Sequence, residues 1–245
     1  MATKPSRGYR AAACFLRSIM EPITRKDWHG AEHLPATDGF IAVSNHVTYA
    51  DPLTLSHFLY LNGHPPRFLA KAELFTAPVI GRLIRTLDQV PVYRGSVRAK
   101  DAVETGVEVL RRGDMISLFP EGTLTRDPDM WPMVARTGAA RMALSTGVPI
   151  IPVAQWGAHR ILGRYSKLPR PFPPKKVTVV AGPPIYLDDL RAKPLDNEVL
   201  RAATTRIMDT LTSMLEEIRG ESAPDVAYDM RGKPDTRGRP AGPTS

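Results

Sequence analysis

Asn45-His46-Val47-Thr48-Tyr49-Ala50-Asp51 and Phe119-Pro120-Glu121-Gly122-Thr123 are the two stretches of this 245-residue sequence whose side chains could carry proton-transfer chemistry. An imidazole and a carboxylate five residues apart can meet across a turn. The carboxylate then accepts a hydrogen bond from one ring nitrogen, fixes the tautomer and leaves the other nitrogen as a general base. The plainer readings are a helix cap at Asp51 and a buried, satisfied His46; the pair alone does not choose between them. In the second stretch Glu121 and Thr123 offer polar side chains, while Gly122 lets backbone N–H groups come close to a ligand. Taken singly, it is also an ordinary strand-to-loop turn.

Both stretches need strands to hold them. Short apolar runs alternate with helical periodicity along the chain, which is the signature of an α/β domain. Residues 40–43 read as a strand running into Ser44-Asn45-His46, and a helix is expected from Asp51, with that residue as N-cap and Pro52 preset for the first turn. Residues 115–119 form a buried-type strand that delivers Pro120-Glu121-Gly122-Thr123. Open α/β sheets bind ligands at such strand ends. Further strands are expected over 67–70, 89–93, 149–154 and 177–181. Helices are expected over 79–87, 99–112, 138–146 and 197–218, with Gly113 and Gly147 as terminators.

Composition bounds the rest. At 42% hydrophobic and 24% charged residues the chain is neither disordered nor fibrous. Its one cysteine, Cys14, excludes an intramolecular disulfide and a Cys-rich zinc site. His29 and His33 stand four apart as a metal pair would, but Gly30 and Pro35 disfavour the helix that such a pair needs, and no third ligand is evident. No run of about 18 apolar residues is present, so no spanning helix is expected. Arg17 interrupts the apolar run 11–20, which makes a secretory signal a poor fit and a cytosol-facing protein the expectation.

The net charge of +8 is unevenly placed. Lys4, Arg7, Arg10, Arg17, Arg25 and Lys26 outweigh Glu21 and Asp27 near the N-terminus, around a stripe of Phe15, Ile19 and Ile23 with Leu16 and Met20 beside it. That pattern suits an amphipathic helix on an anionic membrane surface, and equally a helix docked on the core with a solvated back. A second basic strip, 158–176, contains no acid. With Tyr165 and Phe172 as its only stacking residues and no nucleic-acid module in the pattern, nucleic acid is not an expected partner. Residues 220–245 lack periodicity and read as a disordered tail. The expected organisation is a membrane-surface segment at 1–27, a single α/β domain at 28–219 and a tail at 220–245.

Taken together the two polar stretches have a precedent. Asn45-His46 with Asp51, followed by Phe119-Pro120-Glu121-Gly122-Thr123, resembles the glycerolphospholipid acyltransferase family, in particular the 1-acylglycerol-3-phosphate acyltransferases. Val90-Pro91-Val92-Tyr93-Arg94 is similar to that family's second motif, whose arginine contacts substrate phosphate. Val148-Pro149-Ile150-Ile151-Pro152-Val153 is similar to its fourth, and Leu69-Ala70-Lys71-Ala72-Glu73-Leu74 to a segment whose lysine lies near the phosphate. The sequence departs from the pattern in one place: the third motif usually continues with Arg-Ser, whereas Leu124 and Thr125 follow here and Arg126 stands two positions beyond the usual arginine.

The resemblance implies a central mixed, largely parallel sheet flanked by helices. It also implies transfer of a fatty acyl group from acyl-CoA or acyl carrier protein to lysophosphatidic acid, at the cytoplasmic face of a membrane that the protein binds peripherally or monotopically. Another acceptor (glycerol 3-phosphate or a different lysophospholipid) and a non-enzymatic lipid-binding protein are the alternatives. His46 is expected as the base and Asp51 as its orienting carboxylate. Asn45, Lys71, Arg94, Glu121, Gly122, Thr123 and Arg126 are expected at the substrate, with Glu121 on a glycerol hydroxyl or on Arg94. Backbone N–H groups around Gly122 are the expected oxyanion donors. No metal and no cofactor beyond the thioester donor are implied.

Overall fold

The central strands are apolar on both sides, so both faces of their sheet have to be covered. In the computed structural model, which describes residues 4–36, 39–92 and 99–230, they are. All three residues of β2 (Ile41–Val43) are buried, as are all three of β5 (Ile116–Leu118). Ile41, Val43, Ile116 and Ile150 pack with helices α4 (Ala99–Arg111), α5 (Gly138–Thr146) and α7 (Asn197–Arg219). Phe40, Ala42, Ile151 and Val153 face the other way, onto Leu55, Phe58 and Leu59 of α2 (Asp51–Leu61).

Five strands form the main sheet in the order β1 (Thr24–His29), β7 (Lys175–Ala181), β6 (Ile150–Trp156), β2, β5. β6 and β7 are antiparallel; the other three pairings are parallel. β3 (Leu69–Lys71) and β4 (Val90–Val92) form a separate parallel pair, which Phe68, just before β3, joins to Ser117 of β5 through one parallel bridge. The expected mixed, largely parallel sheet flanked by helices is therefore present. The order places β2 and β5 side by side and parallel, so the loops leaving their C-terminal ends emerge together.

The long helix α7 starts on Asp196, whose carboxylate accepts from the N–H groups of Glu198 and Val199, and ends on Gly220 in the left-handed conformation. Leu200, Ile207, Leu211 and Leu215 are buried along one face, as their spacing predicts.

Two boundaries differ from the sequence reading. Residues 24–29, assigned to a surface segment and the start of the domain, form β1 and pair with β7 from Thr24↔Lys175 to His29↔Val180. Their polarity hid them, because an edge strand keeps exposed charged side chains. The first part of the expected tail is also packed: Ala227 is buried, Val134 N–H donates to the Tyr228 carbonyl at 3.0 Å, and Ala223 N–H donates to Glu216 at 2.8 Å. Irregular backbone found partners on α7 and a neighbouring loop without needing periodicity. Residues 231–245 lie outside the described residues.

Helix α1 (Arg7–Ile23) docks on the domain through Tyr9, Ala13 and Met20, and the Tyr9 hydroxyl donates to the Pro66 carbonyl at 3.2 Å. Phe15 and Ile19 remain 62% and 45% exposed. The helix therefore has a docked face and a second apolar face turned outward. In the other basic strip Arg164 turns inward onto the carbonyls of Thr125 and Asp127, and Lys176 pairs with Asp27 at 3.0 Å.

Candidate active site

The turn after β2 brings His46 back over the start of α2. Its Nδ1 lies 3.1 Å from Asp51 Oδ2, and the same oxygen accepts the backbone N–H groups of Val47 and Thr48, the latter at 2.7 Å. Asp51 is not the N-cap that the sequence suggested. Ala50 occupies that position, and Asp51, as the first helical residue, turns its carboxylate back into the loop. With Nδ1–H donated to a buried carboxylate, Nε2 is left with a lone pair. The imidazole stacks on Phe119 with 4.0 Å between ring centroids and 16° between planes, and Phe119 stacks in turn on Phe68. The ring is held on one edge by a carboxylate and on one face by an aromatic.

The turn after β5 meets this one at Glu121, which is 1% exposed. Its Oε1 accepts from His46 N–H at 3.1 Å and its Oε2 from Met133 N–H at 3.0 Å. Thr125 N–H donates to the His46 carbonyl at 2.7 Å, so the two loops are laced together. Gly122 sits at φ 72°, a left-handed conformation that glycine adopts without strain. Its own N–H donates to the Phe119 carbonyl at 2.9 Å and is not available to an oxyanion. Among the described residues the amide of Thr123 donates to no protein acceptor.

The long remainder of that loop is fixed from outside. Thr125 Oγ1 donates to the Trp131 carbonyl at 2.7 Å, and Tyr165 donates to the Thr125 carbonyl at 3.1 Å. The Arg219 guanidinium lies over Trp131 at 3.8 Å and over Trp156 at 4.4 Å, which ties the end of α7 to the loop.

His46, Phe119, Gly122 and Thr123 open onto one cavity of about 1630 Å³. Leu16 and Met20 of α1, Leu53 and Tyr60 of α2, and Leu83 and Leu87 at the end of α3 (Pro78–Thr86) line its apolar part. Arg136 and Arg141 line it toward α5.

Several expected site residues stand elsewhere. Asn45 is 2% exposed and outside the lining; its amide donates to the Gln155 carbonyl and accepts from Gln155 N–H, both at 2.9 Å, which stitches the end of β2 to β6. It is a structural clamp and not a substrate contact. Arg126 is exposed, outside the lining, and does not supply the cation expected after Thr123. The departure at Leu124 and Thr125 has a packing cause, since both are buried. Lys71 closes β3 in register with Val92, and Arg94 lies outside the described residues. Of the histidine pair considered for metal, His29 bonds Asp27 at 3.0 Å and His33 the Ala181 carbonyl at 2.9 Å, so their rings serve different partners. Sequence reasoning missed Arg136 because it lies outside the quoted motifs; its place just before the helix at 138 was the available signal.

A buried carboxylate–imidazole pair thus stands at the strand ends of an open α/β sheet, with His46 on the wall of a cavity of about 1630 Å³. The family model for acyltransferases matches residues 25–156, and the chain belongs to that family. It is 29% identical over 197 residues to the 1-acyl-sn-glycerol-3-phosphate acyltransferase of Borreliella burgdorferi, covering 78% of this chain and 71% of that protein. With the Bacillus subtilis protein of the same name it shares 25% over 208 residues, covering 85% and 96%. The chloroplastic Brassica napus relative BAT2 is 32% identical over 143 residues; the match spans 58% of this chain and 40% of that one. The crystal structure of the 1-acyl-sn-glycerophosphate (LPA) acyltransferase PlsC from Thermotoga maritima superposes with a TM-score of 0.65 at 25% identity, covering 88% of this chain and 81% of that one.

Proposed function

We propose that this protein moves a fatty acyl group from a thioester onto the free hydroxyl of 1-acylglycerol 3-phosphate, giving phosphatidic acid. The observation that carries this reading is His46, with Nδ1 held by Asp51 at 3.1 Å and its ring opening on the cavity. Nε2 takes the hydroxyl proton as the alcohol oxygen attacks the thioester carbonyl. The carbon–sulfur bond then breaks, and the thiolate leaves with little need of acid help because a free thiol titrates near pH 8.5. Asp51 stabilises the imidazolium that forms. Transfer is direct: the one cysteine, Cys14, is exposed on α1 and no acyl-enzyme is needed. The Thr123 amide is the oxyanion donor in place of that of Gly122. Glu121 acts by holding the His46 and Met133 amides. The donor is acyl-CoA or acyl carrier protein.

The acceptor and product are lipids, and the protein works on the cytoplasmic face of a membrane that it binds without crossing. Among the described residues no helix is long and apolar enough to span a bilayer. Phe15 and Ile19 are exposed on α1, and Val79 and Ile80 on α3 at 80% and 51% exposure; both helices give other side chains to the cavity wall. Arg10, Arg17, Arg82 and Arg85 are exposed among them and suit an anionic surface.

The test is release of free thiol from palmitoyl- and oleoyl-CoA across a panel of lysolipid acceptors. Lysophosphatidic acid should be the preferred acceptor, and His46→Ala should lower turnover by about 10²–10⁴-fold with unchanged thermal unfolding. Near-normal turnover by that variant would refute the base assignment.

A further inference from the structure

The acceptor proposed above carries its reacting hydroxyl and its phosphate on adjacent carbons of one glycerol. Whatever anchors the phosphate must therefore be built on the same scaffold as the base. Among the described residues the arginines lining the cavity are Arg17, Arg111, Arg136 and Arg141. Arg17 is paired with Glu21 at 3.2 Å on α1, while Arg111 and Arg141 belong to α4 and α5. Arg136 is different, because its backbone is part of the laced loops.

Arg136 N–H donates to the Pro120 carbonyl at 2.9 Å. The next residue, Glu121, bonds the His46 amide at 3.1 Å, so two hydrogen bonds through one dipeptide fix Arg136 relative to the base. The guanidinium stem lies against Gly122: a Cβ added there would stand 2.9 Å from Arg136 Nε and 3.6 Å from Cζ. The bare glycine therefore gives the arginine its room. No carboxylate among the described residues pairs with it, and the side chain is exposed at the cavity wall. A planar guanidinium offers two parallel N–H donors to phosphate oxygens, which a lysine does not.

We infer that Arg136 anchors the phosphate monoester of the acceptor, a role that the sequence resemblance gave to Arg94 and Lys71, and that it takes the place for which Arg126 stood as the third motif's missing cation. The inference rests on the proposed acyl transfer, and its test separates the two. Initial rates are measured for the wild type and for Arg136→Gln, Arg136→Lys and Arg126→Gln. Lysophosphatidic acid is varied first, then oleoyl-CoA, and then an uncharged monoacylglycerol acceptor. Losing a charge-assisted pair should raise KM for lysophosphatidic acid about ten- to a hundredfold in Arg136→Gln. KM for oleoyl-CoA and the rate with monoacylglycerol should stay near wild type, Arg136→Lys should recover part of the loss, and Arg126→Gln should show none of it. An unchanged KM for lysophosphatidic acid in Arg136→Gln overturns the inference. So does a rise in KM for oleoyl-CoA, which would place a donor phosphate on this arginine, or an equal loss with monoacylglycerol. A wild type that acylates no phosphate-bearing acceptor sinks the proposed function itself. Matched thermal unfolding, together with the Lys variant, guards against loss of fold.

Discussion

A single oxygen, Asp51 Oδ2, holds the site's conformation by accepting from the His46 ring and from two backbone amides. A neutral amide oxygen in its place is a weaker acceptor for those three donors and carries no charge to stabilise an imidazolium. Asp51→Asn should therefore lower kcat about 10²-fold or more, with KM for both substrates nearly unchanged, because the group acts through His46 and not on the substrate. It should also cost about 1–3 kcal/mol in urea unfolding, because two buried N–H groups exchange a charged acceptor for a neutral one. A mutant with normal kcat would show that the loop amides alone orient the ring.

The edge strand β1 is held by more than its ladder. Asp27 reaches across to Thr178 at 2.8 Å and Lys176 at 3.0 Å on β7, and to His29 at 3.0 Å on its own strand. These partners, the hydrogen bond from His29 foremost and then that from Lys176, lower the Asp27 carboxyl from 3.8 to about 2. A carboxylate with a depressed folded-state pKa stabilises the fold above its unfolded pKa and loses that contribution as pH falls through the folded value. Asp27→Asn should therefore unfold more easily than the wild type at pH 6, with the gap closing between pH 4 and pH 2. A gap that persists at pH 2 would assign the difference to packing and not to charge. β1 also carries α1 into the fold, so this edge positions one wall of the cavity.

Over the whole molecule, the exposed apolar side chains proposed to meet the membrane come from elements distant in sequence. α1 and α3 pack together; each gives leucines to the cavity wall (Leu16, Leu83) and leaves other apolar side chains exposed (Phe15, Ile19, Val79, Ile80). Because these side chains stabilise no core, Val79→Asp with Ile80→Asp should leave thermal unfolding unchanged and reduce co-sedimentation with vesicles of mixed phosphatidylcholine and phosphatidylglycerol. Turnover with short-chain, micelle-free acceptors should survive. Undiminished co-sedimentation would leave α1 as the sole contact. The cavity's volume of about 1630 Å³ exceeds the roughly 300–1,000 Å³ of ordinary small-molecule pockets and fits a chain-bearing ligand.

The sequence by itself determined the alternation of strands and helices, the terminators Gly113 and Gly147, and the spacing that lets His46 and Asp51 meet, because these depend on local periodicity, backbone conformation and short separation. It could not show β1, whose charged residues are stable in a strand only because β7 lies beside them. Nor could it assign Asn45 to Gln155 or Glu121 to His46, residues 110 and 75 positions apart that meet only because β2 lies between β6 and β5. That Arg136 lines the cavity and Arg126 does not has the same origin. Which of the two arginines reaches the cavity depends on how the loop after β5 folds back onto Pro120, and that contact exists only in the tertiary structure.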